Sequence, residues 1–166
     1  EAWINKRELG DERILDKQNV GGANGPFTFD TYGGVRLIGG SSSGLFAATA
    51  PVSLPLNTWT HVAGTVDATN GQVKIYVNGV LSASTTFTGS LVNNSLPVRI
   101  GAAGSGLPAD GTYNGRIDEV RIWNKARTQA EIMASMNCEI QAQSGLVAAY
   151  HFNQGIYYGY NPTETT

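Results

Sequence analysis

The segment Thr58 to Ser84, TWTHVAGTVDATNGQVKIYVNGVLSAS, leaves little choice of fold. Its side chains alternate with a period of two, which is the period of a strand. Trp59, His61, Ala63 and Thr65 share one face, and Thr60, Val62, Gly64 and Val66 the other. Val73, Ile75 and Val77 then alternate with Lys74, Tyr76 and Asn78. Asp67 to Gly71, DATNG, is rich in residues that tolerate tight turns. Asn78-Gly79 is the strongest short hairpin signal, because a type I′ turn needs positive φ at both central residues. An antiparallel meander therefore occupies the middle of the chain.

The flanks read the same way. EAWIN is a short strand, and Ile14-Leu15 centre a second. Asn19 to Phe27 is a glycine-rich loop. FTFDTYGGVRLIGG gives two strands broken at Gly33-Gly34, and LFAATAPVSL gives another. LPVRIG precedes a glycine-rich loop from Gly101 to Gly111, and NGRIDEVRIW returns as a strand. Thr128-Gln-Ala-Glu131 is a capping box that opens AEIMASMN as the single short helix, near the C-terminal end. SGLVAAYHFNQG is a last strand. Roughly ten to twelve short strands with regular turn signals make an all-β, two-sheet antiparallel sandwich. The domain is expected over 1–153, with 154–166 a C-terminal tail or linker.

Charge narrows the function. Only 14% of the 166 residues are charged, against about a quarter in an average soluble domain. The net charge is −2 and no basic stripe exists, so a nucleic-acid partner is not expected. Cys138 is the only cysteine, which rules out an intramolecular disulfide and a cysteine-cluster metal site. It is expected as a small, partly buried side chain. No apolar run has the length of a membrane-spanning helix, so no membrane insertion is expected. The small polar, glycine-rich surface suits an extracellular protein, secreted or on a cell surface. The start at Glu1 is read as that of a mature or excised piece of a larger multidomain chain.

One residue poses a problem. Strict alternation in RIDEVRIW puts Asp118, Val120 and Ile122 on one face, and Ile117, Glu119, Arg121 and Trp123 on the other. A carboxylate on an apolar face needs a partner.

The motifs Trp59-x-His61-Val62, Tyr76-Val77-Asn78-Gly79 and Ile117-Asp118-Glu119-Val120-Arg121-Ile122, with EAWI at the start, resemble the laminin-G-like, concanavalin A-like lectin-glucanase jelly roll. The resemblance covers Glu1 to Met136 and is nearest to modules of bacterial surface adhesins. It departs from the pattern where a strand with a Phe-Asp-Gly turn normally precedes EAWI. Gly145–Asn153 resembles such a beginning and is expected either to fill that position or to mark a junction between neighbouring modules. The resemblance also implies a rim calcium ion, held by Asp118 and backbone carbonyls, for which Ca²⁺ is suited. The other reading of Asp118 is a carboxylate satisfied by backbone N–H groups or an arginine. A pentraxin-like double calcium site is not expected, because the loop after VRIG carries Asp110 alone.

Catalysis finds no support. Glucanase relatives place Glu, Asp and Glu at alternating positions along one strand, a spacing absent here. Glu8, Asp11, Glu12 and Asp16 are read as an exposed rim. His61 and His151 are read as strand histidines bonded to backbone, without a third ligand for zinc. Sugar recognition instead uses aromatic platforms beside amides and carboxylates. The candidates are Tyr32, Tyr76, Tyr113, Trp123, Tyr157, Tyr158 and Tyr160, beside Asn114 and Asp110, while Trp3 and Trp59 are read as core. Tyr113-Asn114 is the preferred rim, and Tyr76 is expected on the solvent-facing side of its sheet. The expected function is a non-catalytic extracellular binding and adhesion module, calcium-stabilised, recognising a glycan or another surface ligand. The alternatives are a protein-interaction or spacer module and, last, a glycoside-active enzyme.

Overall fold

The structure is a computed structural model and describes residues 1–18, 25–103 and 111–153. Among the described residues, twelve strands and one helix follow in order: β1 Ala2–Lys6, β2 Arg13–Asp16, β3 Thr28–Asp30, β4 Val35–Ser41, β5 Gly44–Ala50, β6 Thr60–Asp67, β7 Gln72–Val77, β8 Val80–Thr86, β9 Arg99–Ile100, β10 Gly115–Asp118, β11 Val120–Trp123, α1 Gln129–Ser135 and β12 Leu146–Tyr150. One sheet has the order β10-β1-β6-β7-β8, and the other β5-β4-β3-β2-β9. A small third ladder pairs β11 with β12. The pairings are antiparallel, as a jelly-roll sandwich requires.

The meander forms as its pattern dictates. Asn78 and Gly79 take φ of 50° and 76°, the two positive angles of the hairpin turn. The Asn78 side-chain oxygen accepts from the His61 N–H at 3.0 Å and ties the turn to β6. Val62, Val73 and Ile75 point inward to a core that also holds Ile4, Leu15, Phe29, Leu37 and Phe46. Such burial, at about 25 cal/mol per Å² of apolar surface, drives the two sheets together.

The opposite face of the first sheet is covered too. Ala63, Tyr76 and Ile132 form a second buried cluster, in which α1 lies over the sheet. Tyr76 is therefore only 4% exposed, and its expected outward position is corrected. The capping box is present: the Thr128 hydroxyl accepts from the Glu131 N–H at 3.2 Å, and the Thr128 N–H donates to Glu131 Oε2 at 2.7 Å.

The strand RIDEVRIW does not alternate throughout. Glu119 adopts φ of 48°, the left-handed region, and separates β10 from β11. Ile117 and Val120 both pack on the core as a result. Asp118 is not on the core face, so the premise for its unusual partner is corrected. Its Oδ1 accepts the Glu119 N–H at 2.8 Å.

Three smaller readings change. Trp59 is 40% exposed, not core. Cys138 is exposed. Glu12 and Asp16 are buried: Glu12 Oε2 sits 3.1 Å from Lys6 Nζ, and Asp16 Oδ1 accepts from the Thr28 hydroxyl at 2.5 Å. A buried carboxylate needs such partners, which an exposed rim does not. The segment Gly145–Asn153 joins the domain through β12, which pairs with β11 from Val120↔Tyr150 to Trp123↔Leu146.

Candidate functional site

One cluster of buried charges acts as a fastening. Glu1 lies just before β1, and its Oε1 accepts from Arg127 Nη1 at 2.7 Å and from Trp123 Nε1 at 3.0 Å. Arg121 Nη1 stands 3.8 Å from the same oxygen, and His61 Nε2 stands 3.6 Å from Oε2. Arg121 also donates to the carbonyls of Ser135 and Cys138 below α1. Burial pushes the Glu1 carboxyl up, but His61, the adjacent amino group and Arg127 outweigh it and hold it at about 2. Burial pushes the His61 imidazole down, against the pull of Glu1. These side chains are spent on one another and bind the helix and the EAWI strand to the VRIW strand.

The residues expected at the ligand rim scatter. The Tyr113 ring packs against the core, and its hydroxyl is buried without a hydrogen-bond partner. Burial, then the nearby Glu12 charge, raises that hydroxyl well above the usual tyrosine range. Asn114 is exposed, and its N–H donates to Glu12 Oε1 at 3.3 Å. Asp110, Tyr157, Tyr158 and Tyr160 lie outside the described residues. Tyr32 is 56% exposed, with the Arg36 guanidinium 4.5 Å from its ring centre. Arg36 is itself fixed by a two-point pair with Asp30, at 2.9 and 2.6 Å. Tyr32 is thus a single ring on a firm support. Trp123 is covered by Arg127, 4.3 Å from its ring centre.

A different surface gathers more of the right chemistry. At the end of β12, Tyr150 and Phe152 are both well exposed. Their ring centres are 6.1 Å apart and their planes differ by 21°. Beside them, His151 Nδ1 lies 2.8 Å from Glu119 Oε1 and 4.0 Å from Glu139 Oε1. The Asn153 amide donates to that same Glu139 oxygen. His151 was expected to bond to backbone, and its carboxylate partners correct that expectation. Phe152 escaped notice altogether. Period-two spacing in the run Tyr150-His151-Phe152 was the available signal.

A cavity of about 330 Å³ opens alongside β6. β1 pairs with β6 only from Ala2↔Val62 to Ile4↔Thr60, while β7 continues along β6 to Asp67. The cavity follows the stretch that β1 does not reach. Leu15, Phe29, Leu37 and Val66 line it, and its charged wall is the Glu1–Arg121–Arg127 cluster already described.

The sequence pattern of the concanavalin A-like lectin/glucanases superfamily matches residues 1–133. The chain belongs to that superfamily. A candidate carbohydrate-binding protein from Bacteroides ovatus is similar over 99% of this chain and 45% of its own, at 25% identity and a TM-score of 0.74. A heptameric pentraxin from Limulus polyphemus shares the fold over 82% of this chain and 69% of its own, at 19% identity and a TM-score of 0.62. Pentraxin-related protein PTX3 from Homo sapiens is 26% identical over 82% of this chain and 38% of its own. This superfamily member thus spans less than half the length of the Bacteroides and human relatives. Its sandwich is of the lectin/glucanase type.

Proposed function

We propose that this domain is a non-catalytic glycan-binding module, working outside the cell as part of a larger protein. The carrying observation is the exposed, nearly parallel ring pair Tyr150–Phe152 beside Glu139 and Asn153. Aromatic faces stack on the C–H faces of a sugar ring, while neighbouring amides and carboxylates take its hydroxyls. The likeness to the Bacteroides candidate carbohydrate-binding protein supports the same reading.

Catalysis is not part of it. Glu119 and Glu139 stand close enough to invite comparison with a glycosidase pair. Glu119, however, has one oxygen on Arg121 and the other on His151. Neither oxygen is free to attack a sugar or to donate a proton.

A second reading, a protein-interaction or spacer module, is favoured by β8. It is a seven-residue edge strand with Val80 and Leu81 exposed. Edge strands accept a further strand from a partner.

Screening the domain on an immobilised glycan array, followed by calorimetry with the best oligosaccharide, tests the proposal. The expected result is binding that the Tyr150→Ala/Phe152→Ala double variant loses while it stays folded. Binding that the variant retains would move the site elsewhere. No glycan bound, with a protein partner captured through β8, would replace the proposal by the second reading.

A further inference from the structure

Three parts of the chain that are distant in sequence bring metal-binding atoms together at one spot. Glu119 sits at the junction of β10 and β11, Glu139 in the loop after α1, and His151 just past β12. One atom from each, a carboxylate oxygen or an imidazole nitrogen, lies within 4.8 Å of the other two. In a tetrahedral site with metal–ligand bonds near 2 Å, donor atoms stand about 3.3 Å apart. The present 2.8 Å between His151 and Glu119 must open slightly. The 4.0 Å between His151 and Glu139 must close by less than an ångström. Side-chain rotation of the half-exposed Glu139 covers that difference.

We infer that Glu119, Glu139 and His151 form a binding site for a borderline transition-metal dication, Zn²⁺ above all. One imidazole nitrogen with two carboxylates is a donor set for such ions, whereas Ca²⁺ wants six to eight oxygens. Two carboxylates and a neutral imidazole also balance a double positive charge. The least mobile ligand is held from behind: Arg121 Nη2 donates to Glu119 Oε2 at 2.9 Å and leaves Oε1 facing His151. Arg121 is itself only 2% exposed, so it anchors the ligand as an outer-shell group does. The fourth position falls to water or to the Asn153 amide, which already reaches Glu139. Turning that amide over presents its oxygen in place of its nitrogen. His151 and Glu139 are both reachable from solvent, so an ion can enter.

This site is distinct from the rim calcium implied at Asp118, and it does not rest on the glycan reading. The test strips the full domain with a chelator and titrates Zn²⁺ by calorimetry, with Co²⁺ as a spectroscopic substitute. The expected result is one equivalent bound, with the visible absorption of four-coordinate Co²⁺. Affinity should fall by at least about tenfold in His151→Ala and in Glu139→Gln. Both positions lie at the surface, and a thermal melt checks that each variant is folded. Cys138→Ser should bind as the parent does, although Cys138 is exposed beside Glu139. Failure to bind one equivalent, binding unchanged in both ligand variants, loss of binding in Cys138→Ser, or stabilisation by Ca²⁺ and not Zn²⁺ would each overturn the inference. Glycan binding measured in chelator would be unaffected by its failure.

Discussion

Glu1 Oε1 and Arg127 Nη1 meet at 2.7 Å across 126 residues of chain, both side chains almost wholly buried. That pair joins the first strand to the turn that launches α1. Removing one member leaves a charge in the interior without its counter-ion, which costs about 3–5 kcal/mol. Arg127→Ala is therefore expected to lower the unfolding free energy by that order in a urea titration. Arg127→Lys should recover only part of it, because Arg127 also donates to Ser135 Oγ and to the Glu131 carbonyl.

The same cluster sets the acid limit of the fold. The Glu1 carboxyl sits at about 2 in the folded chain, against 4.5 for the free side chain. Its contribution is therefore complete above pH 4.5 and is lost as pH falls toward 2. The difference is worth about 3 kcal/mol. His61 acts in the same direction at higher pH. Its folded pKa lies below 6.5, so acid protonates the unfolded chain first and stability begins to fall once pH drops through 6.5. Denaturant midpoints measured from pH 8 to pH 3 should decline in two stages. A flat profile would contradict this account of the cluster.

Helix α1 depends on its cap. The Glu131 carboxyl is drawn down to about 2 by the Thr128 N–H first, and then by Lys125. Thr128→Ala should cost about 1 kcal/mol, read as a lowered thermal midpoint. Tyr76 would register the same change through its fluorescence, since the helix covers it.

Asp118 should prove a modest residue. Its carboxylate caps the N–H of Glu119 away from the core, so Asp118→Ala is expected to cost about 1 kcal/mol. Added Ca²⁺ should leave the melting temperature of parent and variant alike unchanged. A calcium-dependent rise that vanished in Asp118→Ala would restore the rim ion implied by the family resemblance.

What could be read from sequence was local. The Asn78-Gly79 turn, the meander around it and the Thr128–Glu131 cap each depend on residues within a few positions, and each formed as expected. Asp118 was misplaced for an equally local reason. A glutamate in the left-handed region carries no mark in sequence, and one such residue inverts every face that follows it. Tyr76 was misjudged because nothing in β7 tells that a helix more than fifty residues later lies over it. The grouping of Glu119, Glu139 and His151 obeys no spacing rule, since the pairing of β11 with β12 brings Glu119 to His151, and Arg121, donating to the Cys138 carbonyl, holds the Glu139 loop beside them.

The ring pair offers the most direct test of function. Tyr150 and Phe152 are two residues apart at a strand end, and both are about half exposed. Neither belongs to the core, so their removal should leave folding nearly untouched. If sugar stacks on them, Tyr150→Phe should bind almost as the parent does, because the aromatic face survives. Tyr150→Ala and Phe152→Ala should each weaken binding by about 1–2 kcal/mol, and the double variant should abolish it. Tyr32→Ala serves as the comparison, since that ring stands alone against Arg36. Calorimetry on these five variants with one oligosaccharide separates the surfaces: loss confined to Tyr32→Ala would place the sugar at the Arg36–Asp30 support instead of β12.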